Sequence, residues 1–398
     1  MQSNLQLYLD ILRQHGITPT FPITAKTLGR HPDIIQKLSA AGAEFAVHGY
    51  NHIDCTRLTS EQLSEQIQKA INIFRHNEVP FSGFRFPYLR WNRDGMNLID
   101  SPLFKWDSSH CVLWGVLNNI TTSDRNWQTY QTVLSQYTFK NSDAFISLPR
   151  FHNNMLEIPV SLPDDDLLFD RLGIQEERIL TQIWSEILRN SYSRGELFTL
   201  QLHPERISFY KETLKTLLHT ADTFEPKIWI TSLSSIYDWW KEKQGFSTEI
   251  HKKPNGEYRI NAHCSKRAIL LIKTKEIEDG NFFNQYRLIN RNPFTIRSSK
   301  RPVIGISKNS SPMLVRLLKN EGFIFEIGTD ENNCSVFLNG LDVLNEEDEI
   351  KVLEKINNSQ LPLVRFWRWP DACRSALSIT GDIDALTSSD FLLRLVGR

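Results

Sequence analysis

The chain lacks any excess of charge, any paired-cysteine motif, any apolar run long enough for a membrane span and any internal repeat. Of its 398 residues, 46 are basic and 46 acidic, so net charge gives no reason to expect a nucleic-acid or membrane-surface partner. The five cysteines (Cys55, Cys111, Cys264, Cys334 and Cys373) are odd in number and scattered. Without a C-x-x-C pair they predict reduced thiols rather than a disulfide framework. Met1-Gln2-Ser3-Asn4 has neither the basic n-region nor the apolar h-region of a signal peptide, and no segment approaches the about 20 apolar residues of a transmembrane helix. The expectation is a cytoplasmic protein of open oligomeric state. Low-complexity segments are lacking too, and the length allows two to three domains with a sizeable core. Aromatic residues are plentiful, with ten Trp and 23 Phe; such rings suit sugar faces as well as cores.

The first two hundred residues alternate strand and helix patterns. Leu5, Tyr8, Leu9 and Leu12 share a helix face that Gly16 ends. Ile17–Ile23 reads as a strand, about 32–41 as a helix ending at Gly42, and Ala43–Val47 as a strand. Thr59-Ser60-Glu61-Gln62 is a capping box opening a helix whose one side carries Leu63, Ile67, Ala70, Ile71 and Phe74. This alternation implies βα units and a parallel sheet or barrel, with chemistry on the loops beyond the strands' C-terminal ends.

The candidate chemical residues fall on such loops. His48-Gly49-Tyr50-Asn51-His52 puts two imidazoles four apart, a spacing that binds one divalent ion if a carboxylate joins them; alone, the pair is equally two histidines hydrogen-bonded in a turn. Arg85-Phe86-Pro87-Tyr88 offers a guanidinium fork beside a rigid turn. Trp106-Asp107 places an aspartate after an aromatic strand, where a plain turn cap is the simpler alternative. Leu200-Gln201-Leu202-His203 ends an alternating strand in a histidine that would face the rim of His48.

In combination these segments resemble the polysaccharide deacetylases of carbohydrate esterase family 4, the NodB-homology domain. That family shows in order an aspartate-pair motif, an H-S/T-x-x-H pair, an R-x-P-Y segment, an aspartate motif and a leucine–histidine strand end. The last four match the segments above, with Gly49 in place of Ser or Thr. Ile228–Leu233 and the helix through Trp239 and Trp240 are similar to that domain's closing strand and helix.

The first motif is absent ahead of the opening helix. An apolar strand near the C-terminus, Ala376-Leu377-Ser378-Ile379-Thr380-Gly381, instead leads into Asp382-Ile383-Asp384, which resembles that motif in its D-x-D form. A helix-like segment follows over 389–396. Joining Arg398 to Met1 would restore the family's order, so a circular permutation is expected; a tandem protein whose second copy begins at about 376 is the competing reading. The expected fold is α/β, a distorted (β/α) barrel of the polysaccharide deacetylase type, circularly permuted, with an additional small α+β module. Domains are expected at 1–245 (barrel, motifs two to five), 246–370 (module of unnamed role) and 371–398 (strand and helix completing the barrel). Within the module, 258–262 and 268–272 read as hairpin-like strands.

The resemblance implies a metal-dependent hydrolase removing acetyl groups from an N- or O-acetylated sugar or polysaccharide. Asp384, His48 and His52 would hold the divalent ion, zinc first, with cobalt, nickel or manganese as the other candidates. Asp382 would be the general base and Arg85 would hold it ionised. The Tyr88 amide would help stabilise the oxyanion, and His203 would be the general acid. Trp106 and Asp107 would shape the groove and support Arg85, and Leu200 or Leu202 would line the acetyl-methyl pocket. Two rival expectations remain: a hydrolase of a non-sugar amide on the same site, and a non-catalytic glycan-binding protein.

Overall fold

The structure, a computed structural model, describes residues 2–118, 120–273, 281–387, 389, 390 and 392. Its main element is a curled, almost wholly parallel sheet. From one edge to the other the strands are Phe139–Asn141, Cys111–Leu113, Val160–Leu162, Leu197–Leu202, Ser375–Gly381, Thr20–Ile23, Glu44–Val47, Gly83–Phe84, Trp106–Asp107, Met155–Glu157 and Arg150–His152. Only Arg150–His152 runs antiparallel to its neighbour. The sheet is an incomplete (β/α) barrel whose two edge strands do not meet, and the α/β expectation holds.

The strand nearest the C-terminus stands in the middle of this sheet. Ser375–Gly381 pairs in parallel with Leu197–Leu202 along six residues, from Leu197 opposite Ala376 to Leu202 opposite Gly381. On its other edge it pairs with Ile228–Ile230 and then with Thr20. All seven of its residues are buried. Strand alternation turns Leu377, Ile379 and Ile383 toward the helix layer, where they join the core built with Leu5, Tyr8 and Leu9 of the helix Gln2–Gln14. It turns Ala376, Ser378, Thr380, Asp382 and Asp384 into the lumen.

The same alternation divides the lumen. Near the strands' starts it is apolar, with Ala46, Trp106, Leu156, Leu197 and Ala376 packed on Leu233, Ile236 and Trp239 of the helix Leu233–Lys243. Toward the strands' ends it is polar, with His48, Ser108, Thr199, Gln201, Thr380 and Asp382 all buried. At the apolar end the polar groups Thr20 and Glu44 are spent on each other and on the Leu233 and Ser234 amides, so the polar side chains left for chemistry lie at the end where loops can reach them.

Local sequence accounts for most of the helices. The Thr59–Gln62 capping box forms as expected: Gln62 N donates to Thr59 Oγ1 and Thr59 N to Gln62 Oε1. The expected helix at 32–41 is preceded by a second one, Ala25–Arg30, and itself spans Pro32–Ala40. Beyond the aspartates, Asp390 anchors the chain, its carboxylate accepting from the Leu386 and Thr387 amides and meeting His31 Nε2 at 2.7 Å. Of the helix expected over 389–396, positions 391 and 393–396 lie outside the described residues.

Residues 247–366 hold three small three-stranded sheets and the helices Pro312–Glu321 and Glu349–Asn357. The strands expected at 258–262 and 268–272 exist but do not pair with each other. Glu257–His263 lies between Ser247–Lys252 and Phe294–Arg297, and Leu270–Lys273 lies between Tyr286–Ile289 and Val364–Phe366. Glu321, wholly buried, is gripped by Arg365 and Arg368, and Arg368 also donates to the carbonyls of Arg194 and Gly195 in the barrel. Among the described residues no helix is long and apolar enough to cross a membrane.

Removing 376–398 should leave a 1–375 chain that does not fold. The cut bares the hydrogen-bonding edges of the neighbouring strands and uncovers the surface that Leu377 and Ile379 cover, about 1.5–3 kcal/mol for each, against a total stability of about 5–15 kcal/mol for a typical domain. Circular dichroism and gel filtration read the outcome; a soluble fragment with an unchanged cooperative melt would refute this account.

Candidate functional site

The candidate groups meet where the polar part of the lumen opens. His48 follows the buried strand Glu44–Val47, and Gly49 turns the chain at once with φ of +76°. A Cβ at Gly49 would lie 3.0 Å from Asn51 O and 3.4 Å from Pro87 Cγ. A Ser or Thr would be strained on both counts, which accounts for the departure from the H-S/T-x-x-H pattern. The turn returns His52 to a ring-centroid distance of 5.1 Å from His48.

His48 donates through Nδ1 to the Arg85 carbonyl at 2.8 Å. That bond leaves the ring's lone pair on Nε2, a buried atom with no hydrogen-bond partner among the described residues. Nε2 faces Asp384 Oδ1 at 3.6 Å, and His52 Nε2 faces Asp384 Oδ2 at 3.3 Å. One donor atom from each of the three residues lies within 4.8 Å of the others. Two imidazoles and a carboxylate converging on one point fit a divalent ion of the zinc type.

Asp382 lies beside this cluster, its Oδ2 3.8 Å from His48 Nε2. Arg85 Nη1 donates to its Oδ1 at 2.7 Å and Gln201 Nε2 to its Oδ2 at 3.1 Å. Arg85 is wholly buried and otherwise spent on the Ser108 carbonyl, Ser108 Oγ and Thr380 Oγ1. Tyr88, at a left-handed φ of +60°, sets its ring edge-on to His52 at 4.1 Å and forms a half-exposed wall of the site.

His203 donates through Nδ1 to Asp165 Oδ1 at 2.7 Å, and its amide donates to Asp165 Oδ2 at 2.8 Å. Burial pushes the imidazole's pKa down, but the Asp165 charge and hydrogen bond prevail and hold it well above its usual value. Nearby Glu205 is pushed up to about 7, by burial first; His203 opposes this and Asp384 reinforces it. Asp165 and Gln201 are the site residues that motif reading missed. Gln201 was recoverable from strand alternation, since it faces opposite to Leu200 and Leu202. Asp165 had as its only signal the run Asp164-Asp165-Asp166 between strand and helix.

The structure brings His48, His52, Arg85, Tyr88, Asp382 and Asp384 together. It does not put the expected substrate-binding residues there. Leu200 and Leu202 are fully buried on the outer face of their strand, packed in the helix layer with Leu377 and Ile379. Trp106 is also fully buried: its ring covers Gly83 at the apolar end of the lumen and its Nε1 donates to Ser234 Oγ. Asp107 points outward and bonds the amide and hydroxyl of Ser109. Its support of Arg85 is therefore indirect, through a loop whose other serine, Ser108, holds the guanidinium.

Residues 2–101 match the family model described as polysaccharide deacetylase. The matched stretch carries His48, His52, Arg85 and Tyr88. The chain is similar to the bifunctional xylanase/deacetylase of Pseudobutyrivibrio xylanivorans, 23% identical over 188 residues, 45% of this chain and 30% of that protein. It is also similar to the peptidoglycan-N-acetylmuramic acid deacetylase PdaA of Bacillus subtilis, 30% identical over 62 residues, 16% of this chain and 24% of that one. The chain thus spans less than a third of the length of either relative. Among solved structures, Puue allantoinase superposes with a TM-score of 0.46 at 21% identity, covering 60% of this chain and 72% of that one.

Replacing Asp165 with Asn removes the charge while keeping a side chain of the same shape. The His203 pKa should then fall, because burial lowers it and only Glu205 is left to oppose that. NMR titration of the ring protons reads this; an unmoved pKa would acquit Asp165. Since the folded pKa is raised, the pair's stabilisation is complete below about pH 6.5 and is lost as the pH rises through the folded value. The gap in Tm between wild type and variant should narrow accordingly.

Proposed function

We propose that this chain is a metal-dependent deacetylase that hydrolyses the acetyl group of an acetylated sugar or polysaccharide, with the amide of an N-acetylated sugar as the first candidate. The observation that carries the reading is the convergence of His48, His52 and Asp384 on one point, with the Arg85–Asp382 pair directly beside it. The family match over 2–101 supports the same reaction class.

His48, His52 and Asp384 would hold the ion, with zinc the best fit to two imidazoles and a carboxylate. A divalent ion at such a site supplies a Lewis acid for a carbonyl oxygen and lowers the pKa of water. The remaining work falls to this chain's own groups. Asp382, paired with Arg85 and aimed by Arg85 and Gln201, is the general base that takes a proton from the attacking water. Water oxygen bonds to the acetyl carbon, and the Tyr88 amide is the candidate donor to the developing oxyanion. His203, kept protonated by Asp165, gives its proton to the departing nitrogen as the carbon–nitrogen bond breaks. Acetate and a free amine are the products. With the leucines and Trp106 packed away from the site, the acetyl methyl is left to contact the loops at the lumen's mouth, among them the Tyr88 turn.

The test pairs metal content with acetate release from N-acetylglucosamine oligomers. His48→Ala and His52→Ala should each lose the ion and the activity while remaining folded. Asp382→Asn should keep the ion and lose at least about 100-fold in turnover, the usual contribution of a positioned base. Wild-type metal content in both histidine variants would remove them from the site, and a fully active Asp382→Asn would remove the proposed base.

A further inference from the structure

A second group of donors sits on the opposite face of the sheet from this centre. We propose that Asp107, His110 and Glu157 form a separate binding site for a divalent transition-metal ion, whose role is to fix the loop that holds Arg85. The site rests on its own residues; only the count of two equivalents in the test below also rests on the ion proposed for His48, His52 and Asp384.

The first observation is one of register. Asp107 and Glu157 are direct partners on adjacent parallel strands, so their side chains leave the same face about 4.8 Å apart. Both are buried, with Asp107 0% and Glu157 5% exposed. Two charged carboxylates side by side on a sheet are destabilising, and burial, which pushes Glu157 up to about 7 and Asp107 well up, deepens the cost unless a cation or a shared proton joins them. Among the described residues neither carboxylate forms an ion pair with a lysine or arginine; the basic group in reach is His110.

The second observation concerns how the three groups face one another. His110 Nδ1 lies 2.7 Å from Glu157 Oε2, yet the contact lacks hydrogen-bond geometry, and both atoms are buried with no hydrogen-bond partner. Glu157 thus aims a carboxylate oxygen, on a side chain more than nine-tenths buried, into a space it shares with an imidazole nitrogen and Asp107. One donor atom from each of the three residues lies within 4.8 Å of the others. Two carboxylates and one imidazole suit zinc, cobalt or manganese. His110 is about one-third exposed, which gives an ion a route in and lets water complete its coordination.

The third observation is what the site would hold in place. Asp107 receives the amide and hydroxyl of Ser109, and Ser109 Oγ accepts from the Phe86 amide at 2.9 Å. The adjacent Ser108 gives its carbonyl and hydroxyl to Arg85. One short loop therefore meets the proposed ion on its outer side and grips the Arg85 guanidinium on its inner side.

The test uses the full chain equilibrated with Zn2+ and dialysed, with bound metal measured by atomic emission. Wild type should retain two equivalents. Glu157→Gln, His110→Ala and His48→Ala should each retain one, and His48→Ala combined with His110→Ala none. Circular dichroism checks folding, and the near-isosteric Glu157→Gln guards against a collapse caused by His110→Ala. On the His48→Ala background added Zn2+ should still raise Tm, and that rise should vanish with Glu157→Gln. A single equivalent in wild type, unchanged in Glu157→Gln, would overturn the site and leave a shared proton holding the two carboxylates together. So would a second equivalent that survives both substitutions.

Discussion

The buried ion pair between Arg85 and Asp382 is the contact on which the rest of the site depends. A guanidinium with no solvent exposure is tolerable only when its charge is matched and its donors are used, and here a carboxylate, a carbonyl and two hydroxyls take them. Taking away one member of such a pair typically costs about 3–5 kcal/mol, because the other is left charged and alone. The pair also does three geometrical things at once. It ties the C-terminal strand to the loop after Gly83–Phe84. It turns Asp382 toward His48. Through the Arg85 carbonyl it selects the His48 tautomer whose free nitrogen faces Asp384.

The lumen's two-part lining explains why a charged cluster can sit inside this barrel. Its apolar half is filled by Trp106, Leu156, Leu197 and Ala376 against the helix Leu233–Lys243, so cohesion comes from ordinary packing. Its polar half needs no such cohesion and is free to hold groups that favour a ligand over one another. His203 shows the same division at the level of one residue. Burial alone would keep its imidazole neutral, and Asp165 reverses that. The charge state that suits an acid is thus a property of the pair and not of the histidine.

The parts of this site legible in the sequence were those whose residue type and local spacing carry the chemistry. His48 and His52 are four apart in one turn, Arg85 and Tyr88 share another, and Asp382 and Asp384 follow a strand that alternates Leu377 and Ile379 with small polar residues. What the sequence concealed was direction and partnership. Leu200 and Leu202 are apolar residues two apart, a pattern that fits the outer face of a buried strand as well as a methyl pocket; only the placement of Gln201 against Asp382 decides between them. Trp106 was legible as an aromatic strand residue, but its destination over Gly83 depends on a neighbouring strand twenty-odd residues earlier. The strands at 258–262 and 268–272 were recognisable from local pattern, while their partners lie at 247–252, 294–297, 286–289 and 364–366, pairings that no local signal specifies.

The C-terminal strand's central place also bears on the proposed permutation. Parallel pairing fixes the direction of a strand and its neighbours but is indifferent to where in the chain the strand occurs. Arg85 and Asp382 are 297 residues apart in this order; with the strand ahead of Met1 they would be roughly 100 apart. Closing a flexible loop about three times longer costs only about 1 kcal/mol more, since the entropy grows with the logarithm of length. The Arg85–Asp382 pair and the two flanking ladders outweigh that cost, so the finished barrel is nearly the same in free energy either way. The difference falls on the path to it, since pairing the central strand over a longer separation slows folding. The intervening residues 247–366 then have a physical part to play whatever else they do. Their Glu321 holds Arg368, which donates to the Arg194 and Gly195 carbonyls and so docks the chain seven residues before the strand starts at Ser375.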